Sequence, residues 1–170
     1  CTSPGPRKSR STAAYMALRD TDSGGLPGAG QPLSRRGDHT AYPRGVEHRV
    51  AYRIYYEDTD ALGVVYYANY FKYFERGRTE SIEAAGRSIA DWNRHGYLFV
   101  VHSVQATFKR PAVLGDRIEV ATSFSVVSPY RGRFLQRVER DSEVLVEGTV
   151  DCVCLDDNQQ LREFPSGVLG

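Results

Sequence analysis

A chain of 170 residues is long enough for one domain with a substantial core. Its formal charge of +1 divides unevenly: seven basic and three acidic residues stand before Val46, and 15 basic and 18 acidic residues follow. A mildly acidic domain without a clustered basic face excludes nucleic acid as its main ligand, and no apolar run approaches the roughly 20 residues of a membrane span.

Residues 1–45 hold five of the eight prolines and seven of the sixteen glycines and lack apolar periodicity. They are expected to form a disordered leader, because too little surface can be buried to offset chain entropy. The only methionine is Met16, and Val46, just before the first strand, is a candidate start of the native protein. The folded domain is expected to cover residues 46–170.

A strand is predicted over about residues 49–57, ending in a tight loop that carries Asp58 and Asp60 and turns at Gly63. The spacing then predicts a helix over 68–85, stopped by Gly86. Its buried stripe is expected to be Tyr70, Phe74, Gly77, Ser81, Ala84 and Ala85, with small residues allowing close contact with a sheet. A short second helix follows over Ile89–Arg94.

Four strands come next, over 97–109, 117–127, 132–140 and 143–155. In the first, Leu98, Val100, Val104, Ala106 and Phe108 share one face by alternation, and His102 is in phase with them. In the last, Cys152 and Cys154 point the same way and read as core thiols. With Cys1 they make no disulfide framework, which suits a reducing, cytoplasmic compartment. Short links between consecutive strands predict an antiparallel meander. One long helix with a five- or six-stranded antiparallel sheet is an α+β domain.

The loop concentrates the chemistry. A carboxylate at Asp60 faces a helix start, where unpaired N–H groups and the positive end of the dipole stabilise an oxyanion; together they suit acyl transfer. The alternative for both Asp58 and Asp60 is turn capping through local hydrogen bonds. Tyr66 and Tyr67 read as core aromatics or as an apolar wall around an acyl group. Arg131 and Arg133 flank Gly132 in a turn and read as solvated charge or as contacts to substrate phosphates. The sequence has no G-x-S-x-G elbow, no Gly-rich phosphate loop and no metal-ligand cluster, so neither metal nor cofactor is expected.

The run from Tyr55 to Glu80, YYEDTDALGVVYYANYFKYFERGRTE, closely resembles the active-site segment of the 4-hydroxybenzoyl-CoA thioesterase family. Within it the chain looks most like acyl-CoA thioesterases associated with the Tol-Pal system. Phe108 to Val120, FKRPAVLGDRIEV, is similar to the family's strand–Pro-Ala–Gly-Asp–strand turn. The resemblance spans about residues 48–165. It implies the hotdog fold, a long central helix wrapped by an antiparallel sheet, assembled as a homodimer or homotetramer by edge-to-edge pairing. It places the catalytic carboxylate on Asp60 and the carbonyl-polarising N–H on Tyr67, with Val65 and Tyr66 as substrate-binding neighbours. Arg131 and Arg133 would contact CoA phosphates, across the dimer if needed. The implied reaction is hydrolysis of an acyl-CoA, or of the same thioester on acyl carrier protein. Tol-Pal-associated members commonly carry His where this chain has Tyr67, a change that a backbone N–H tolerates. Two other readings remain open: a dehydratase or hydratase of the same fold, which would need a histidine beside the carboxylate, and a non-catalytic acyl-CoA-binding module.

Overall fold

A computed structural model describes residues 47–165, 167 and 168; the expected leader lies outside the described residues. Strand β1 (His48–Arg53) leads into a single 3-10 turn (Tyr56–Asp58), helix α1 (Asn69–Ala84) and helix α2 (Ile89–Arg94). Strands β2 (Leu98–Phe108), β3 (Arg117–Ser128), β4 (Arg131–Arg140) and β5 (Glu143–Leu155) complete one five-stranded sheet. α1 lies across β1, β3 and β4. Among the described residues no helix is long and apolar enough to cross a membrane.

The helices end where local chemistry ends them. Gly86, at φ +103°, takes the left-handed conformation that closes α1. The Ser88 hydroxyl accepts from the Asp91 N–H at 3.1 Å and caps α2.

Four expectations need correction. First, β1 stops at Arg53. The Ile54 N–H donates to Asp116 O at 2.9 Å, and the following residues wind into the 3-10 turn instead of extending. Second, the strands do not form a simple meander: the order is β1-β3-β4-β5-β2, antiparallel throughout, so β2 and β3 are not neighbours. The link through Pro111 and Gly115 therefore crosses from the β2 edge back toward β1, with Gly115 N–H on Ile54 O.

Third, the alternation of β2 breaks at His102, where the register against β5 shifts between Val101 and Ser103. A bulge inserts one residue and reverses which face follows. Phe99 pairs with Cys154, and Val104, Ala106 and Phe108 pair with Val150, Gly148 and Val146, so these side chains face α1. Leu98 and Val100 fall on the opposite face, and His102 is exposed. Fourth, Ala84 and Ala85 are exposed, while Tyr73 and Ile82 join Tyr70, Phe74, Gly77 and Ser81 in the buried stripe of α1.

The core has two parts. One gathers Ile54, Tyr70, Tyr73, Phe74, Val120 and Val138 near the start of α1. The other gathers Ile82, Trp92, Phe134, Val150 and Cys152 near its end. Between them runs a polar seam: the fully buried Gln136 amide donates to Phe74 O at 2.8 Å and to Thr122 Oγ1 at 2.9 Å. Cys154, in line with Cys152, is also buried, so both thiols belong to the interior.

Gly77 sits over this seam. A Cβ there would come within 2.6 Å of Val120 Cγ1 and 3.0 Å of Thr122 Oγ1. Gly77→Ala is therefore expected to cost about 1–3 kcal/mol of stability by forcing α1 off the sheet. A lower urea midpoint at unchanged slope checks this.

Candidate active site

The Asp loop is a short hairpin held at several points. Asp60 N–H donates to Val64 O and Gly63 N–H to Asp60 O, each at 2.9 Å, with Gly63 at φ +74°. Thr59 bridges Val65, and Tyr66 N–H donates to Asp58 O at 2.9 Å. The returning arm is fastened to the segment after β2: Val65 N–H reaches Ala112 O at 2.9 Å, and Val64 bridges Val113. Ala112 N–H in turn donates to the Tyr70 hydroxyl at 2.9 Å, tying this segment to α1.

The two carboxylates have different surroundings. Asp58 is buried, and its Oδ2 accepts from the Tyr55 N–H at 2.9 Å, so its job is to fix the turn. Burial, together with the nearby Asp58 carboxylate, pushes the Tyr73 phenol far above its usual range. Asp60 is exposed. Its Oδ1 accepts from the Leu62 N–H at 2.8 Å, while Oδ2 has no partner among the described residues. Both capping readings thus hold, and at Asp60 one oxygen is left over.

Past the hairpin the chain enters α1 with no side-chain cap, since its N-cap is Ala68. The N–H groups of Asn69, Tyr70 and Phe71 go to the carbonyls of Tyr66, Tyr67 and Ala68. Among the described residues nothing accepts from the Tyr67 or Ala68 N–H. Asn69 was not singled out by sequence pattern. Its buried side chain donates to Asp58 O at 2.9 Å and locks the helix start to the turn. The available signal was an amide residue, a poor helix former, at the first helical position.

Around these groups Val65 is buried, whereas Tyr66 and Tyr67 are exposed, with ring centroids 4.7 Å apart. Tyr67 also meets the Phe108 ring edge-on at 6.3 Å. Asp60, Val65, Tyr66 and Tyr67 therefore share one hairpin and the helix start it feeds.

Arg131 and Arg133 lie apart from them, at the start of β4; the loop instead adjoins the strand ends near Ala112 and Asp116. Arg133 is committed to Asp151 through two bonds of 2.7 and 2.8 Å. This bidentate pair holds the Asp151 carboxyl below the usual range, helped by the positive charge of Arg131. His48 and His102 lie on strands remote from the loop in register, and His95 follows α2, so no described histidine stands in the Asp60 hairpin. Among the described residues no cluster of three His, Cys, Asp or Glu side chains could hold a metal ion.

Residues 54–170 match the Thioesterase-like superfamily. The chain is 37% identical over 119 residues to the acyl-CoA thioester hydrolase YbgC of Escherichia coli O6:H1, covering 69% of this chain and 89% of the relative. It is 38% identical over 105 residues to the acyl-CoA thioesterase YbgC of Haemophilus influenzae, covering 61% and 77%. A solved structure, the 1,4-dihydroxy-2-naphthoyl-CoA thioesterase Slr0204 of Synechocystis, superposes with a TM-score of 0.67 over 72% of this chain and 92% of its own. At 17% identity that likeness speaks for the fold, a hotdog, alone.

The Arg133–Asp151 pair sets a pH dependence. Because Asp151 titrates lower when folded than when unfolded, its stabilisation is present above the ordinary aspartate range and is lost as pH falls through it. The stability gap between wild type and Arg133→Gln should be full at neutral pH and close on acidification. Urea melts at stepped pH values measure it.

Proposed function

Because this chain belongs to the Thioesterase-like superfamily and is a thioester hydrolase of acyl-CoA like its relatives, we propose that Asp60 and the Tyr67 N–H carry the reaction. The reading rests on one observation: a carboxylate with a free oxygen and an unclaimed N–H at a helix start are held by a single clamped hairpin. The thioester carbonyl oxygen would sit on the Tyr67 N–H. Negative charge developing there is met by that donor and by the dipole of α1. One such donor contributes about 3–4 kcal/mol to the barrier difference. Asp60 acts through Oδ2, as nucleophile on the carbonyl carbon or as base for the attacking water. In either route the C–S bond breaks, CoA leaves as thiolate and takes a proton, and water supplies the oxygen of the product acid. Val65 and the Tyr66 and Tyr67 rings form the wall beside the carbonyl.

The enzyme acts as a homodimer joined along β2. The sheet has two edges, and they differ in character. β1 is six residues long and turns Arg49 and Arg53 to solvent, the usual protection against pairing. β2 is eleven residues long and exposes Val100, Val101 and Val104. In that assembly Arg131 and Arg133 would serve the CoA phosphates of the partner's site, with Arg131 the freer of the two. Acyl carrier protein presents the same thioester, and a parallel assay on both carriers separates them.

Asp60→Asn is expected to reduce thiol release from acyl-CoA by about a hundredfold or more with little change in melting temperature. Unchanged turnover would remove Asp60 from the chemistry, and acyl-CoA recovered intact from wild type would favour a binding module. Val104→Lys should convert the dimer to monomer in sedimentation runs and lower activity with it.

A further inference from the structure

A cavity of about 350 Å³ lies between α1, α2 and the start of β2. Ile82, Phe99 and Phe134 form much of its lining, and Arg78, Glu75, Thr79 and Asn93 contribute polar groups. Arg78 is the anomaly. Its guanidinium makes one hydrogen bond, to Gln136 Oε1 at 3.1 Å, and lies 6.0 Å from the centre of the Phe134 ring. Among the described residues no carboxylate is within ion-pair distance of it, although Arg49, Arg110, Arg133, Arg137 and Arg140 all have one. Glu75, the carboxylate at the cavity, accepts instead from the Thr79 hydroxyl at 3.0 Å.

A guanidinium cannot shed its charge, so partial burial without a paired carboxylate is a standing cost, which Glu75 across the cavity relieves only at a distance. Its planar fork fits a carboxylate in bidentate fashion, which would offset that cost. Arg78 also stands in line with the proposed reaction centre. Phe71, Glu75, Arg78 and Ile82 recur at helical spacing along one side of α1, and Tyr67 lies in the turn just before it. Nine positions separate Asn69, the first residue of α1, from Arg78, roughly 14 Å of axis. Helical side chains lean toward the N-terminus, which brings the guanidinium nearer the carbonyl site.

We propose that this cavity receives the far end of the acyl group and that Arg78 selects acyl-CoA substrates whose chain ends in a carboxylate. The inference rests on the thioesterase reading above and names its substrate class. Arg78 is a specificity residue here, remote from the bond that breaks.

The test compares suberyl-CoA with octanoyl-CoA, and sebacyl-CoA with decanoyl-CoA, on wild type, Arg78→Met and Arg78→Lys. Wild type should favour the dicarboxylic member of at least one pair in kcat/KM by about tenfold or more, the scale of one charged contact. That ratio should collapse in Arg78→Met and recover in part in Arg78→Lys. Calorimetric binding of free suberate against its uncharged dimethyl ester to wild type needs neither turnover nor a folded variant. Suberate binding no tighter than its dimethyl ester, or a kcat/KM ratio unmoved by Arg78→Met, overturns the proposal. Arg78-dependent suberate binding with no thioester cleaved would sink the thioesterase reading and leave the carboxylate site standing.

Discussion

The distance between α1 and the sheet governs the rest of this molecule. A helix packs this closely only where nothing larger than hydrogen separates backbone from strand side chains, and Gly77 supplies that point over Val120 and Thr122. Gly148 does the same on β5, where a Cβ would come within 2.5 Å of the Phe74 ring. With the helix held this low, the Gln136 amide reaches the Phe74 carbonyl. An amide buried in a core is worth keeping only when its hydrogen-bonding groups are met. Here Nε2 donates twice and Oε1 accepts from Arg78, so the seam closes.

That seam divides the interior by task. On one side the aromatic residues of early α1 anchor the hairpin, through Tyr70 to Ala112 and Asn69 to Asp58. The start of α1 is thereby fixed without a side-chain cap, and two N–H groups have no acceptor among the described residues. On the other side the packing is looser, and the space between the helices and β2 remains a cavity. The proposed reaction centre and the proposed site for the substrate's far end thus lie along one helix, on either side of one buried amide.

Charge is distributed with the same economy on the outer face of the sheet. Glu139 is nearly buried; burial raises its carboxyl, but bonds from Arg137 and Arg49 outweigh this and hold it low. Glu47 joins the same group through both arginines, pinning the start of β1 across the sheet to β4. The β1 edge is thereby charged and closed to pairing. Among the described residues the β2 edge has no such network and carries valines, so this edge is the one suited to a second copy.

Local features were readable from sequence because they depend on neighbours within a few residues. The end of α1 at Gly86, the turn at Gly63 and the strand periods all belong here, and so does the placing of a carboxylate just ahead of a helix start. The resemblance of the segment from Tyr55 to Glu80 carried the family and the fold. Strand order was not readable, because β2 finds β5 rather than β3 by competition among edges far apart in the chain. Nor was the bulge at His102, which reverses the face of β2 and is invisible to a period of two. The partners of arginines were equally hidden: Arg133 meets Asp151 and Arg78 meets Gln136 only because antiparallel register and helix height bring distant residues together. Sequence alone determined which groups this protein possesses and, to within about a residue, where each main helix and strand begins. Tertiary structure decided which of those groups are spent on one another and which stay free, since burial and pairing depend on contacts across the fold.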